Sequence, residues 1–408
     1  MSQVESNTPW SEGPPADYQG GSLLNLAASL AAAMGVEAAG PGLDGLAGRD
    51  PAFSCALSPL LSRLPEARTV VLLLLDGVGQ HPLQRLVPHG VIAGQTLAWL
   101  DSVYPSSTAP AITSMLTARA PADHGNPGWF LWHEQAARSL RTLPMDWRDA
   151  PGEPVQVPVW TWQGWMAASP VPCFGLQPAD ICDSVYSQRA LAGATRLGYI
   201  NLDHLAAQVI GLVRGARPGR RFIYAYAPDF DSIAHRFGWQ SEQALGCLRE
   251  LDDLVARLAE AVRGEDALLL TAADHGFCDV PADRQFRIEA FPALAKMLRA
   301  PLSGEPRVAF CHLHPGRVEA FVEQAGSALA GIARAVPSRT LLDAGWFGPR
   351  PATAMRERFG DVTLLMADNT SISDRLPDER AHRMIGMHGG GSAAEMKIPL
   401  SVIDGLRD

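Results

Sequence analysis

The chain has 408 residues, 47% of them hydrophobic and 19% charged, enough to bury a large core. Its formal net charge of −9 excludes a broad nucleic-acid surface, which needs a basic stripe, and leaves room only for a local phosphate pocket. The six cysteines (Cys55, Cys173, Cys182, Cys247, Cys278 and Cys311) form no CxxC pair and no regular spacing, so they read as buried, reduced thiols.

The opening residues MSQVESNTPWSEGPPADYQGG lack a basic region followed by an apolar core, so they do not read as a secretory leader. No apolar run approaches the ~20 residues that span a bilayer. A soluble, cytoplasmic protein without membrane contacts is expected. Residues 1–20, polar and rich in Pro and Gly, read as a mobile arm. Gly21 to Gly35 reads as an Ala/Leu helix with Ser22 as its N-cap. Together residues 1–68 are expected as an arm and a packing helix ahead of a catalytic domain over 69–408.

TVVLLLLDGVG (Thr69 to Gly79) holds an uninterrupted apolar run stopped by Asp76-Gly77. Such a run is a strand buried on both faces, as in parallel sheets, and strands of that kind present chemistry at their carboxyl ends. Two later runs end the same way, RRFIYAYAPDFD at Asp231 and DALLLTAADHG at Asp274-His275. Between the first and second lies DSVYPSSTAPAITSMLTARAPADHG, in which Ser106, Ser107 and Thr108 precede a helical apolar spacing. A hydroxyl there is either an N-cap or a nucleophile favoured by the helix dipole.

Residues 126–186 carry six of the ten tryptophans (Trp129, Trp132, Trp147, Trp160, Trp162 and Trp165) and read as an insertion near the site. The cluster is either a satellite core or a platform for a substrate ring, Trp129 being the candidate contact. Residues 187–215 read as helical. A strand at Arg221–Ala227, a long amphipathic helix from Ser241 to Gly264 and a strand at Ala267–Thr271 follow. This alternation predicts an α/β fold with a central, mostly parallel sheet sandwiched by helices. Residues 277–387 are less regular and read as a smaller lobe over the site. It holds a strand within RVAFCHLHPG, a helix over RVEAFVEQAGSALAGIARAV and a strand in DVTLLMA, before the chain returns through IGMHGGGSAAEMKIPLSVI.

Asp231 and His235 lie four residues apart just past a strand, Asp274 and His275 are adjacent at a strand end, and His388 lies among glycines. With Asp76 these are three carboxylates and three imidazoles, enough for two metals with three protein ligands each. Mixed His/Asp donors suit Zn²⁺, with Mn²⁺ or Fe as alternatives. Asp229, Asp279, His81, His89, His133, His204, His312, His314 and His382 have no matching partner, and His124 reads as structural at a helix end.

The order of YPSSTAP, TARAPADHG, PDFDSIAHRFG, TAADHG and GMHGG between Val70 and Leu400 resembles the alkaline phosphatase superfamily, within it the type I phosphodiesterase/nucleotide pyrophosphatase family. The resemblance implies a mixed central sheet flanked by helices and a two-zinc phosphoesterase site. One zinc would be held by Asp231, His235 and His388, the other by Asp76, Asp274 and His275 together with the nucleophile. The family nucleophile falls on Thr108, with Ser107 one register away. Thr117-Ala118 stands where the family usually shows Thr-Gly. The family Asn that helps hold a phosphoryl oxygen falls on Trp129, leaving that task to Asn126 or to backbone and metals. The implied activity is hydrolysis of phosphodiesters or nucleotide pyrophosphates through a phosphothreonine, on a small-molecule phosphate ester or nucleotide rather than a nucleic-acid polymer. The alternatives are a phosphomonoesterase or phosphonate hydrolase on the same metals and, more remotely, a non-catalytic metal-binding scaffold. Oligomeric state is not legible.

Overall fold

The apolar run that begins at Val70 lies at the heart of a seven-stranded sheet, its residues to Leu75 no more than 1% exposed. A computed structural model describes residues 13–38, 40–46, 51–215, 219–349, 353–377, 379 and 383–406. In chain order the sheet comprises β1 (Thr69–Leu75), β2 (Thr96–Asp101), β3 (Cys173–Pro178), β4 (Ala194–Tyr199), β5 (Arg221–Ala227), β6 (Ala267–Ala272) and β7 (Lys397–Asp404). Their spatial order is β2-β7-β6-β1-β5-β3-β4. β6, β1, β5, β3 and β4 run parallel, whereas β7 is antiparallel to both β6 and β2. The α/β class and the mostly parallel central sheet expected from the sequence are therefore present.

The register explains where the chemistry gathers. Leu75 pairs with Ala227 and Leu74 with Ala272, so β1, β5 and β6 end at one level. Asp76, the Asp229–Phe237 helix and Asp274 all leave the sheet there, in the crevice above the carboxyl ends of parallel strands.

Four helices matter to the site: α1 (Leu23–Ala33), α2 (Thr108–Thr117), α3 (Asp229–Phe237) and α4 (Glu242–Val262). α1 packs on α2. Ser22 begins α1 with its N–H and hydroxyl both on Asn25 Oδ1, at 3.0 and 2.6 Å. α4 is capped by Ser241, whose Oγ accepts from Ala244 N at 3.1 Å, and it buries Leu248, Leu251, Leu254, Val255 and Leu258 at helical spacing.

A second, antiparallel sheet joins segments far apart in the chain. Its order is 333–337, 362–366, 308–311, 303–305, 130–133, 138–141, 146–147 and 150–154. Residues 126–186 thus divide. Their first half adds four strands to this sheet, and their second half supplies β3 to the central one. Trp147, Trp160, Trp162 and Trp165 are buried in the main core, where Trp160 and Trp162 lie 5.5 Å apart between ring centroids. Trp129 and Trp132 stay half-buried.

Three local expectations differ. Within 187–215 the helix Leu202–Arg214 forms, but Ala194–Tyr199 is the edge strand β4, a short half-exposed segment whose polar content masks its pairing. The helix expected over RVEAFVEQAGSALAGIARAV stops at Ala328, because Gly331 turns the chain at φ +73°, and Ala333–Pro337 becomes a strand beside Val362–Met366. Residues 1–12 of the expected arm and His382 lie outside the described residues. Residues 13–20 pack on the core, with Tyr18 buried, its hydroxyl donating to Trp346 O at 3.1 Å and accepting from Tyr104 N at 2.9 Å. All six cysteines are free. No helix among the described residues is long and apolar enough to cross a membrane.

Candidate active site

β1 delivers Asp76 and then turns sharply at Gly77, φ +76°, where an added Cβ would lie 2.3 Å from the Phe277 ring. That turn aims the Gly77 N–H at Asp274 Oδ1, 3.0 Å away, and the His275 N–H reaches the same oxygen at 3.0 Å. Asp274 Oδ2 is left buried with no hydrogen-bond donor, 3.5 Å from His275 Nε2. Asp76 Oδ1 lies 3.2 Å from the same Nε2, while its Oδ2 accepts from the Tyr226 hydroxyl.

On α3, Asp231 and His235 share a face because four residues make about one helical turn. Asp231 Oδ1 lies 3.2 Å from His235 Nε2 and 3.5 Å from His388 Nε2, and the two imidazole nitrogens are 3.1 Å apart. His235 Nδ1 donates to Gly386 O at 2.8 Å and His275 Nδ1 to Gly276 O at 3.0 Å. A carbonyl only accepts, so each ring carries a hydrogen on Nδ1 and turns Nε2 inward, the nitrogen left to face a metal. The His275 and His388 rings stack at 3.8 Å, with Phe277 closing one wall at 5.3–5.6 Å from all three rings.

Donor atoms of Asp76, Asp274 and His275 lie within 4.8 Å of one another, as do those of Asp231, His275 and His388, so His275 faces both clusters. Burial, and then the Asp76 carboxylate, hold the Asp274 carboxyl well above its ordinary range. Burial opposes charge on His275, but Asp274 and Asp76 push it up to about 10. Burial, helped by His275, pulls His388 down to about 3. Asp231 Oδ1 is, like Asp274 Oδ2, buried without a hydrogen-bond donor. Buried carboxylate oxygens left without donors are costly unless cations lie among them. The mixed N/O donor set fits divalent transition metals.

Of the three hydroxyls at the start of α2, one enters this cluster. Thr108 Oγ1 lies 3.1 Å from His275 Nε2 and 3.4 Å from Asp76 Oδ1. Ser106 Oγ donates to Gly390 O at 2.6 Å, and Ser107 Oγ donates to Glu305 Oε1. Asn126, one of the two options for the oxyanion contact, is fully buried and its amide donates to Ala109 O (3.1 Å) and Thr113 Oγ1 (3.0 Å), bracing α2. The Trp129 N–H donates to Glu305 Oε1 at 2.7 Å. His124 is buried and neutral, burial pulling it down to about 3, and it ties the Asn126 N–H (3.1 Å) to Ser114 Oγ (3.0 Å). Tyr226 and Glu305 escaped the sequence reading. The former sits inside the run IYAYA and the latter in a lobe without periodicity, so neither has a signal outside three dimensions.

The model of the type I phosphodiesterase / nucleotide pyrophosphatase family matches residues 70–391. The chain belongs to this family. It superposes on murine ectonucleotide pyrophosphatase/phosphodiesterase 5 with a TM-score of 0.57 at 15% identity, covering 81% of this chain and 87% of that one. Phosphonoacetate hydrolase from Sinorhizobium meliloti, solved with phosphonoacetate, gives a TM-score of 0.58 at 16% identity, covering 83% and 91%. The human ectonucleotide pyrophosphatase/phosphodiesterase 5 gives 0.58 at 14% identity, covering 83% and 90%. No curated protein matches the sequence. At these identities the neighbours bear on the fold, and family membership makes the chain a phosphoesterase-type hydrolase.

Proposed function

We propose that this protein hydrolyses phosphodiester or nucleotide pyrophosphate bonds at a site for two divalent metals, with Thr108 as nucleophile. The reading is carried by one observation: Thr108 Oγ1 alone, of three adjacent hydroxyls, turns into the Asp76–His275 cluster. Asp76, Asp274 and His275 would hold one ion and Asp231, His235 and His388 the other. Zn²⁺ suits these donors best, with Mn²⁺ or Fe as alternatives. When bound, the pair supplies charge that lowers the nucleophile's pKa and neutralises the attacking and leaving oxygens.

The chain's own groups do the rest. Thr108 stands at the first residue of α2, where the helix dipole favours an alkoxide. Its Oγ1 gives up its proton and attacks phosphorus, an Oγ1–P bond forms, and the bond to the departing oxygen breaks, that oxygen leaving on an alcohol or, from a pyrophosphate, on a phosphate and taking up a proton. Water then cleaves the phosphothreonine from the opposite side and restores the hydroxyl. Tyr226 fixes the Asp76 carboxylate, the Gly77 and His275 N–H groups fix Asp274, and two backbone carbonyls fix the His235 and His275 imidazoles.

A monoester carries an extra charge that calls for further cations. Two buried arginines in turns of the second sheet are already paired, Arg148 with Glu379 and Asp374, and Arg307 with Glu395. This favours the diester. An inactive form of the murine neighbour was solved with AMP, which makes nucleotides the first compounds to test. The Sinorhizobium neighbour, a phosphonoacetate hydrolase, supports phosphonate cleavage as the second reading. Hydrolysis of bis-p-nitrophenyl phosphate, p-nitrophenyl phosphate and phosphonoacetate by Zn²⁺-loaded protein separates these. Diester preference is expected. Preference for the monoester or the phosphonate would transfer the site to the second reading.

A further inference from the structure

The nucleophile loop is held from outside the central sheet. Glu305 ends the strand Ser303–Glu305 of the second sheet and is buried. Its Oε1 accepts two hydrogen bonds at once, from Ser107 Oγ and from the Trp129 N–H at 2.7 Å. Ser107 immediately precedes Thr108 and is the N-cap of α2, with extended backbone at φ −142° and ψ 152°. An N-cap serine ordinarily folds its oxygen back onto a free N–H of the first helical turn. Here no such cap bond forms, and the hydroxyl reaches away to Glu305 instead. A residue that forgoes its local preference for a long-range contact marks a place where position outweighs helix stability.

The same hairpin also abuts the loop of the last histidine. Arg307, two residues on, pairs with Glu395 at 2.7 and 3.0 Å, and Glu395 accepts from Gly390 N at 2.8 Å. Gly389, at φ +110°, passes so close to Glu305 that an added Cβ would lie 2.8 Å from the Glu305 Cβ. Thr108 and His388 are therefore both referenced to the 303–311 hairpin. Burial pushes the Glu305 carboxyl up to about 7 while its two donors oppose the shift. A carboxyl oxygen accepts from both donors whether or not the group is ionised.

We propose that Glu305 is a positioning residue for the nucleophile: from the second sheet it clamps Ser107 and the Trp129 backbone and thereby sets where Thr108 stands. The inference rests on the phosphoesterase reading above. Misplacing a reacting atom by about 1 Å costs on the order of 10²-fold, and outer partners of metal sites typically contribute about 10–100-fold.

Glu305→Ala, Glu305→Gln and Ser107→Ala separate a clamp from a packing contact. Three readouts are compared with wild type: kcat and KM on bis-p-nitrophenyl phosphate, bound Zn²⁺, and hydrogen–deuterium exchange over residues 105–130. Glu305→Ala should lower kcat about 10–100-fold with KM and Zn²⁺ little changed, and should speed exchange over 105–130. Ser107→Ala opens no large cavity and should reproduce most of the kcat loss. Glu305→Gln keeps an accepting oxygen and should recover most of both effects. Wild-type kcat in Glu305→Ala, equal damage in Glu305→Gln, or losses that merely track Zn²⁺ and Tm would overturn the clamp. A wild type that turns over no ester would instead sink the phosphoesterase reading. In that case the exchange data still decide the clamp, with unchanged rates in Glu305→Ala counting against it.

Discussion

The two sheets meet the site with different chemistry. The central parallel sheet presents the proposed ligands from strand ends and the elements that follow them: Asp76 after β1, Asp231 and His235 on α3, Asp274 and His275 after β6. The antiparallel sheet presents no ligand there. It touches the site through Glu305 on Ser107 and through the Arg307–Glu395 pair behind the His388 loop. Parallel strand ends converge by register, so a few adjacent residues suffice to build a constellation. The second sheet works by support, and its effects should be smaller, graded and separable from metal binding.

Breaking the central-sheet side should cost most. Asp274→Asn keeps an oxygen for the Gly77 and His275 N–H groups but loses the charge. It should release metal and reduce kcat/KM by more than the ~10–100-fold that an outer partner costs, as read by elemental analysis and diester hydrolysis. Breaking the support on the other side should appear first as stability. Arg307→Ala leaves Glu395 buried without its partner and should destabilise by about 3–5 kcal/mol in urea unfolding. Tyr226→Phe sharpens the comparison, because it removes only the donor to Asp76 Oδ2. About 10–100-fold in metal affinity or activity should go, with the unfolding midpoint little moved. Ser241→Ala, at the cap of α4 and away from both contacts, should cost about 1 kcal/mol and leave kcat unchanged.

The same contrast decides what could be read from the chain. Each central strand near the site is a continuous apolar run that ends in a polar signature, so strand, turn and carboxylate are encoded within about a dozen neighbouring residues. The ligand candidates Asp76, Asp231, His235, Asp274, His275 and His388 are brought together in space. The second sheet pairs Phe130 with Gly304, and no local pattern announces a partner so distant in sequence. Strand β4 and the strand Ala333–Pro337 carry no strand signal in the sequence because short, half-exposed segments show no apolar run, and tertiary pairing decides their state. The place of Asn126 is likewise set in three dimensions. It follows His124-Gly125 in sequence, and its side chain donates to Ala109 and Thr113 on the helix that Thr108 begins.

The central claim is that Thr108 Oγ1 is the nucleophile of a metal site that the other residues assemble. Thr108→Ala tests it most directly, with metal content and diester hydrolysis measured on one preparation. The account predicts metal close to the wild-type amount and turnover abolished. Undiminished turnover would contradict it, moving the attack to Ser107 or removing the covalent step, and loss of metal together with activity would make Thr108 a ligand first.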